Sequence, residues 1–195
     1  MSANRILTVT LLGEGGLLLS ALLWSWLSGL TLRLGDPFES LLLGLFAAGV
    51  MGFVNVRMLS CTGTWSFVKS LRGLYGTLLV PMFSKIRYRD VVLISVAAGI
   101  GEELLFRGVI QPTIGLIPAS VIFGIAHFGG RGMLVFGILA GLIGLIFGWL
   151  AITSGGLLAS VVAHAGYDAI ALMYIRQGGG LNVLSGSGEL HNSST

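Results

Sequence analysis

DVVLISVAAGIGEELLFRGVIQ, Asp90 to Gln111, is long and apolar enough to cross a lipid bilayer, yet it carries Glu102, Glu103 and Arg107 near its middle. A crossing helix needs roughly 20 mostly apolar residues. An ionised side chain at the bilayer centre costs about 2.5–3.5 kcal/mol even on a lenient scale. Such groups must therefore face inward, where they satisfy one another or line a water-filled cavity.

The rest of the chain supports a membrane setting. Hydrophobic residues make up 54% of the 195 and charged residues only 10%, with a mean hydropathy of +0.93. Soluble domains average about 25% charged residues, so the chain reads as an integral membrane protein. The net charge of +3 is small, and its basic residues fall in loops, which fits membrane orientation and argues against nucleic-acid binding. A single cysteine, Cys61, excludes an internal disulfide and argues against a cysteine-based metal site. Arg5 precedes the first apolar run and no clear small-residue cleavage site follows, so that run reads as a retained membrane segment.

Six candidate spans emerge, at Ile6–Leu32, Phe38–Val56, Asp90–Gln111, Leu116–Phe128, Met133–Thr153 and Gly156–Ile175. The fourth is too short to cross unless it continues through Gly129-Gly130-Arg131-Gly132. Trp65–Arg89 mixes Lys69, Arg72, Lys85, Arg87 and Arg89 with Phe, Leu, Val and Tyr, the composition of an amphipathic helix lying on the membrane surface. The expected fold is an all-α polytopic bundle with that one interfacial helix. Arg5, the Arg57–Arg89 loop, Arg131 and Arg176 share one side under this topology, and the nearly neutral Arg33–Glu39 and Ser154–Gly155 connections share the other. The positive-inside rule then puts both termini in the cytoplasm, in the inner membrane if the chain is bacterial. Gly137, Gly141, Gly144 and Gly148 form one face of the fifth span, a packing groove for a neighbouring helix. The polar tail, 176–195, reads as disordered, and His191 within it as irrelevant.

Glu102, Glu103, Arg107, His127, His164 and Asp168 all lie inside or at the end of candidate spans. Counted at about 1.5 Å per residue, Glu102, His127 and His164 lie about 18, 15 and 12 Å along their helices, near the midplane of a core about 30 Å thick. Three helices thus deliver polar groups to one level. Glu103 and Arg107 are spaced i,i+4 and pair along one face, whereas Glu102 is turned about 100° away. His164 and Asp168 are also i,i+4, so the carboxylate orients the imidazole or both hold one ligand. A His-Glu-x-x-His zinc motif is absent, and Ile152-Thr153-Ser154-Gly155 lacks the first glycine of a rhomboid-type Gly-x-Ser-Gly. Tyr167-Asp168 lacks the second element of a presenilin-type pair. What remains is carboxylate plus imidazole, the set that activates water and stabilises an oxyanion, with or without a metal.

Glu102-Glu103-x-x-x-Arg107, Phe123-x-x-x-His127 and His164-x-x-x-Asp168, taken in order, resemble the motifs of the CPBP or Abi family. That family includes the type II CAAX prenyl endopeptidases and bacteriocin-processing or self-immunity proteins. The resemblance runs from about Arg87 to Tyr174. It implies an N-terminal membrane region over 1–86, a catalytic core over 87–175 and an intramembrane endopeptidase acting on membrane proteins or peptides. In those terms Glu102 is the general base, assisted by His127, Glu103 pairs with Arg107, and His164 steadies the tetrahedral intermediate. The last family motif more usually ends in Asn, and an ionised Asp168 cannot donate a hydrogen bond to an oxyanion. Either Asp168 is protonated and donates, or it orients His164 or joins Glu102, His127 and His164 around a divalent ion such as zinc. A non-catalytic scaffold or immunity protein, and an ion or proton carrier, are the competing classes. Glu14 is expected near the cytoplasmic interface with no role.

Overall fold

A computed structural model of the protein describes residues 2–60, 65–130 and 133–179. Cys61, Arg131 and residues 180–195 of the polar tail, with His191, lie outside them, whereas Arg176 at the start of that tail closes the last helix. Every regular element among the described residues is helical, as the hydropathy pattern requires. The first helix, α1 (Ala3–Ser28), starts where the Ser2 side chain accepts the Arg5 N–H and stops at Gly29, whose φ of 69° suits a residue without a Cβ. Helix α2 (Pro37–Ser60) opens with proline in the first turn, and the Asp36 carboxylate accepts the Glu39 N–H at 2.8 Å.

Two rods follow, each interrupted by a π-helical turn. The first comprises α3 (Ser66–Leu74), a π-turn (Tyr75–Leu79) and α4 (Val80–Phe83). The second comprises α5 (Tyr88–Leu105), a π-turn (Phe106–Ile110) and α6 (Gln111–Ile114). Each π-turn closes one residue before a proline. Val80 N–H reaches back to the Tyr75 carbonyl ahead of Pro81, and Gln111 N–H to the Phe106 carbonyl ahead of Pro112. Proline lacks the N–H that would serve the carbonyl four residues earlier and its ring crowds it. The extra residue in the turn relieves that crowding without breaking the rod. Gly115, at φ 93°, then reverses the chain into α7 (Leu116–Ala126), which is followed by α8 (Leu134–Thr153) and α9 (Leu158–Arg176).

Helices α1, α2, α8 and α9 are long and apolar enough to cross a membrane. Large apolar side chains such as Leu12, Trp26, Phe46 and Ile125 point outward from the bundle, the arrangement lipid requires and water would penalise. The α5–α6 rod has comparable length but carries the charges. Helix α7, at 11 residues, is too short to cross a bilayer alone and ends at Ala126, with His127 as its C-cap. Leu71, Leu74 and Tyr75 of the first rod are buried, Lys69 is exposed, and Leu71 and Tyr75 pack with Leu59, Val80 and Ile175.

The loops segregate to two ends. Arg87 donates to the Asn4 side chain at 2.6 Å, and Arg176 donates to the Ile86 carbonyl at 2.9 Å while covering the Tyr88 ring. The start of α1 and the end of α9 therefore both meet the 86–88 segment. At the other end, Leu157 and Leu158 N–H groups bond the Arg33 and Leu34 carbonyls. Between the ends, small residues let backbones touch. A Cβ on Gly44 would meet the Ala159 carbonyl at 2.8 Å, and one on Gly124 would meet the Gly137 carbonyl at 2.6 Å. The glycine face of α8 is indeed a groove. It receives α7 at Gly137 and Gly141, and the charged rod at Gly144 and Gly148.

Candidate active site

The adjacent glutamates of α5 enter different surroundings because neighbouring residues on a helix point about 100° apart. Glu103 has no exposed side-chain surface. Its Oε1 lies 3.2 Å from Arg107 Nη1 and 2.9 Å from His164 Nδ1. Arg107, itself 1% exposed, is anchored further: Nη2 donates to the Gly144 carbonyl at 2.9 Å, and the guanidinium covers the Phe123 ring at 4.4 Å. The π-turn re-aims Arg107 toward α8, and one turn later Gln111 donates to the Gly148 carbonyl at 3.0 Å. Side chains at i and i+4 of one rod thus grip carbonyls at i and i+4 of α8.

Glu102 is arranged differently. Its Oε2 is buried and accepts no hydrogen bond, and it faces His127 Nε2 at 3.7 Å. That separation exceeds a hydrogen bond but lets one water touch both atoms. His127 caps α7, with Nδ1 2.8 Å from the Phe123 carbonyl. A carbonyl only accepts, so Nδ1 carries the hydrogen and Nε2 of the neutral ring is an acceptor. A water between Nε2 and the Glu102 carboxylate can donate to both and keep an oxygen lone pair free to attack.

His164 joins the two halves of the site. Its ring stacks on Phe147 with centroids 4.8 Å apart, Nδ1 meets Glu103, and Nε2 lies 3.6 Å from Asp168 Oδ2. His127, His164, Tyr167 and Asp168, with Phe123 and Phe136, line a cavity of about 60 Å³, room for a water or two. All six residues singled out by sequence therefore meet through α5, α7 and α9. They divide into a sealed trio of Glu103, Arg107 and His164 and a more open trio of Glu102, His127 and Asp168. Side-chain exposure of the open trio is 13%, 24% and 29%.

The donors do not fit the zinc site raised as one expectation. Among the described residues no group of three or more His, Cys, Asp or Glu side chains stands arranged to hold a metal ion. Glu103 and Asp168 flank the two nitrogens of His164, and His127 spends Nδ1 on its own helix.

Glu14, expected to have no role, lies midway along α1, and its carbonyl and carboxylate occupy the space that a Gly101 side chain would fill. Spacing within α1 held no sign of this, because the contact joins two helices far apart in sequence. The glycine immediately before Glu102 was the available clue.

Comparison with known proteins gives a partial match. Residues 84–170 match the model of the type II CAAX prenyl endopeptidase Rce1-like family. That range contains all six site residues and excludes Glu14. The chain is 33% identical over 101 residues to the uncharacterised protein YpbD of Bacillus subtilis strain 168, covering 52% of this chain. The chain spans about half the length of that curated relative, 53%. No solved structure matches it. Over residues 84–170, just under half of its length, the chain is similar to the Rce1-like family of type II CAAX prenyl endopeptidases.

Proposed function

We propose that this protein is an intramembrane endopeptidase, with both termini cytoplasmic, that cleaves membrane-associated proteins or peptides by water activation at Glu102 and His127. The observation that carries the reading is the unequal treatment of two adjacent glutamates. Both keep a buried Oε2 without a donor, but Glu103 is locked through Oε1 between Arg107 and His164, while no hydrogen bond holds Glu102, which stands opposite an imidazole acceptor. A carboxylate held in that state is suited to taking a proton.

The water between Glu102 and His127 gives one proton to the Glu102 carboxylate as its oxygen adds to the scissile carbonyl carbon. Negative charge then develops on the carbonyl oxygen. His164, flanked by two carboxylates, carries hydrogens on both nitrogens and offers Nε2–H to that oxygen. Asp168 serves as the group that holds His164 in this form, so it does the work of orientation where Asn would donate directly. Collapse of the intermediate breaks the C–N bond, and the proton on Glu102 passes to the departing nitrogen. Glu103 and Arg107 take no part in these transfers and hold the rod against α8 and α9. No step requires a metal.

The test compares new protein N-termini in membranes of cells expressing wild type or Glu102→Gln at equal levels. Termini that appear only with wild type identify substrates. Identical profiles from two folded proteins in the native host refute the reading.

A further inference from the structure

Glu14 belongs to no motif, lies outside the family-matched segment and has no place in the steps above. It sits about 16 Å into α1 at 1.5 Å per residue, in a helix whose long apolar stretch otherwise faces outward. A Cβ built on Gly101 would stand 2.7 Å from the Glu14 carbonyl oxygen and 2.9 Å from its Oε2. The first span therefore crosses the charged rod at the residue preceding the proposed base, and only glycine permits that approach. Glu14 Oε2 is buried and has no hydrogen-bond partner, and the same is true of Glu102 Oε2. Two neighbouring carboxyl groups, each with an unserved buried oxygen, are an unstable arrangement if both are ionised, because like charges repel and neither is solvated. His164 and Asp168 of α9 are engaged with Glu103 and with each other, and neither hydrogen-bonds to Glu14.

We propose that Glu14 is a positioning residue for hydrolysis: its protonated carboxyl donates to the Glu102 carboxylate, directly or through one water, and holds it as an ionised, correctly aimed base. This rests on the endopeptidase reading. The proton on Glu14 is not consumed. Water supplies the proton that Glu102 takes up and later gives to the departing nitrogen, and the Glu14 O–H remains intact throughout. The active site thereby extends to the first span, which carries no other ionisable group at this depth.

The experiment uses the full chain in liposomes and a peptide substrate identified from the N-terminal comparison. Glu14→Leu should lower kcat at least about tenfold with KM unchanged, because Glu14 touches the base and not the substrate. Its helical circular dichroism and melting temperature should be unchanged or improved, since leucine suits lipid. Glu14→Gln, which keeps an N–H donor in the same place, should retain activity within about threefold of wild type. Infrared spectroscopy gives a readout without turnover: the carboxylic-acid C=O stretch of wild type at neutral pH should lose intensity in Glu14→Leu. Full kcat in Glu14→Leu, or equal losses in Glu14→Leu and Glu14→Gln, would overturn the proposal. If wild type cuts no peptide, the endopeptidase reading fails by itself. An acid band indifferent to Glu14 then also removes the carboxyl pair, and a Glu14-dependent band preserves it.

Discussion

Replacing each of the two adjacent glutamates by glutamine, one at a time, tests the division of the site without any knowledge of the substrate. Glu103 is fully buried against two groups, and Arg107 is itself only 1% exposed. Removing one partner of a buried ion pair costs about 3–5 kcal/mol, because it strands the other charge. Here the stranded side includes Arg107, held further by the Gly144 carbonyl, and His164. Glu103→Gln should therefore reduce the folded-to-unfolded ratio by at least about a hundredfold, at 1.4 kcal/mol per factor of ten. Glu102 accepts no hydrogen bond, and its nearest cationic candidate, His127, is 3.7 Å away. Glu102→Gln should shift stability by no more than about 0.5 kcal/mol or raise it. The assay is reversible unfolding of the purified protein in mixed micelles, followed by helical circular dichroism as denaturing detergent is titrated in. Equal losses in the two variants would show that the glutamates share one role and would refute the argument. Glu103→Leu combined with Arg107→Leu should recover part of the single-variant loss, since no buried charge of the pair is left alone.

Other outcomes follow from contacts elsewhere. Gly124→Ala drives a Cβ into the Gly137 backbone at 2.6 Å and should lower stability by about 1–3 kcal/mol, read as a fall in melting temperature. His127→Ala removes one hydrogen bond to its own helix and should cost about 1 kcal/mol or less in stability, while peptide cleavage drops about 10²–10⁴-fold. Pro112→Ala restores the missing N–H beside the π-turn; it should leave the melting temperature intact or higher while slowing cleavage, as Arg107 loses its aim at Gly144. A melting temperature that falls with unchanged cleavage would show that the turn does not set the site.

Most of the architecture was legible because lipid imposes a simple rule: backbone groups must pair within helices, and charges must turn inward. The i,i+4 spacing of Glu103 and Arg107 led directly to their contact, and the glycine run of α8 to its groove. The bond between His164 and Glu103 was hidden, since each residue already had an i,i+4 companion that suggested a separate pair. Glu14 was hidden for a related reason. Its neighbours in sequence are all apolar, and its importance comes from a helix crossing that no local pattern encodes. The π-turns were readable in principle from Pro81 and Pro112, but a proline equally allows a kink or a stop, and packing decides among them.

The twin proline-linked turns have a consequence for how this chain tolerates insertions and deletions. A π-turn accommodates one more residue than the α-helix around it, so the rod behaves as though a residue had been slipped in between Glu103 and Gln111. Deleting one residue from Phe106–Ile110 would let ordinary helical pairing resume, and both flanking halves could keep their own hydrogen bonds. Because the wide turn absorbs the extra residue locally, the two halves would keep nearly their present facing, and Gln111 would still point at the Gly148 carbonyl. A deletion in the regular helix on either side would instead turn the halves about 100° against each other. Phe106–Ile110 is thus the place where this rod best absorbs the loss of a residue.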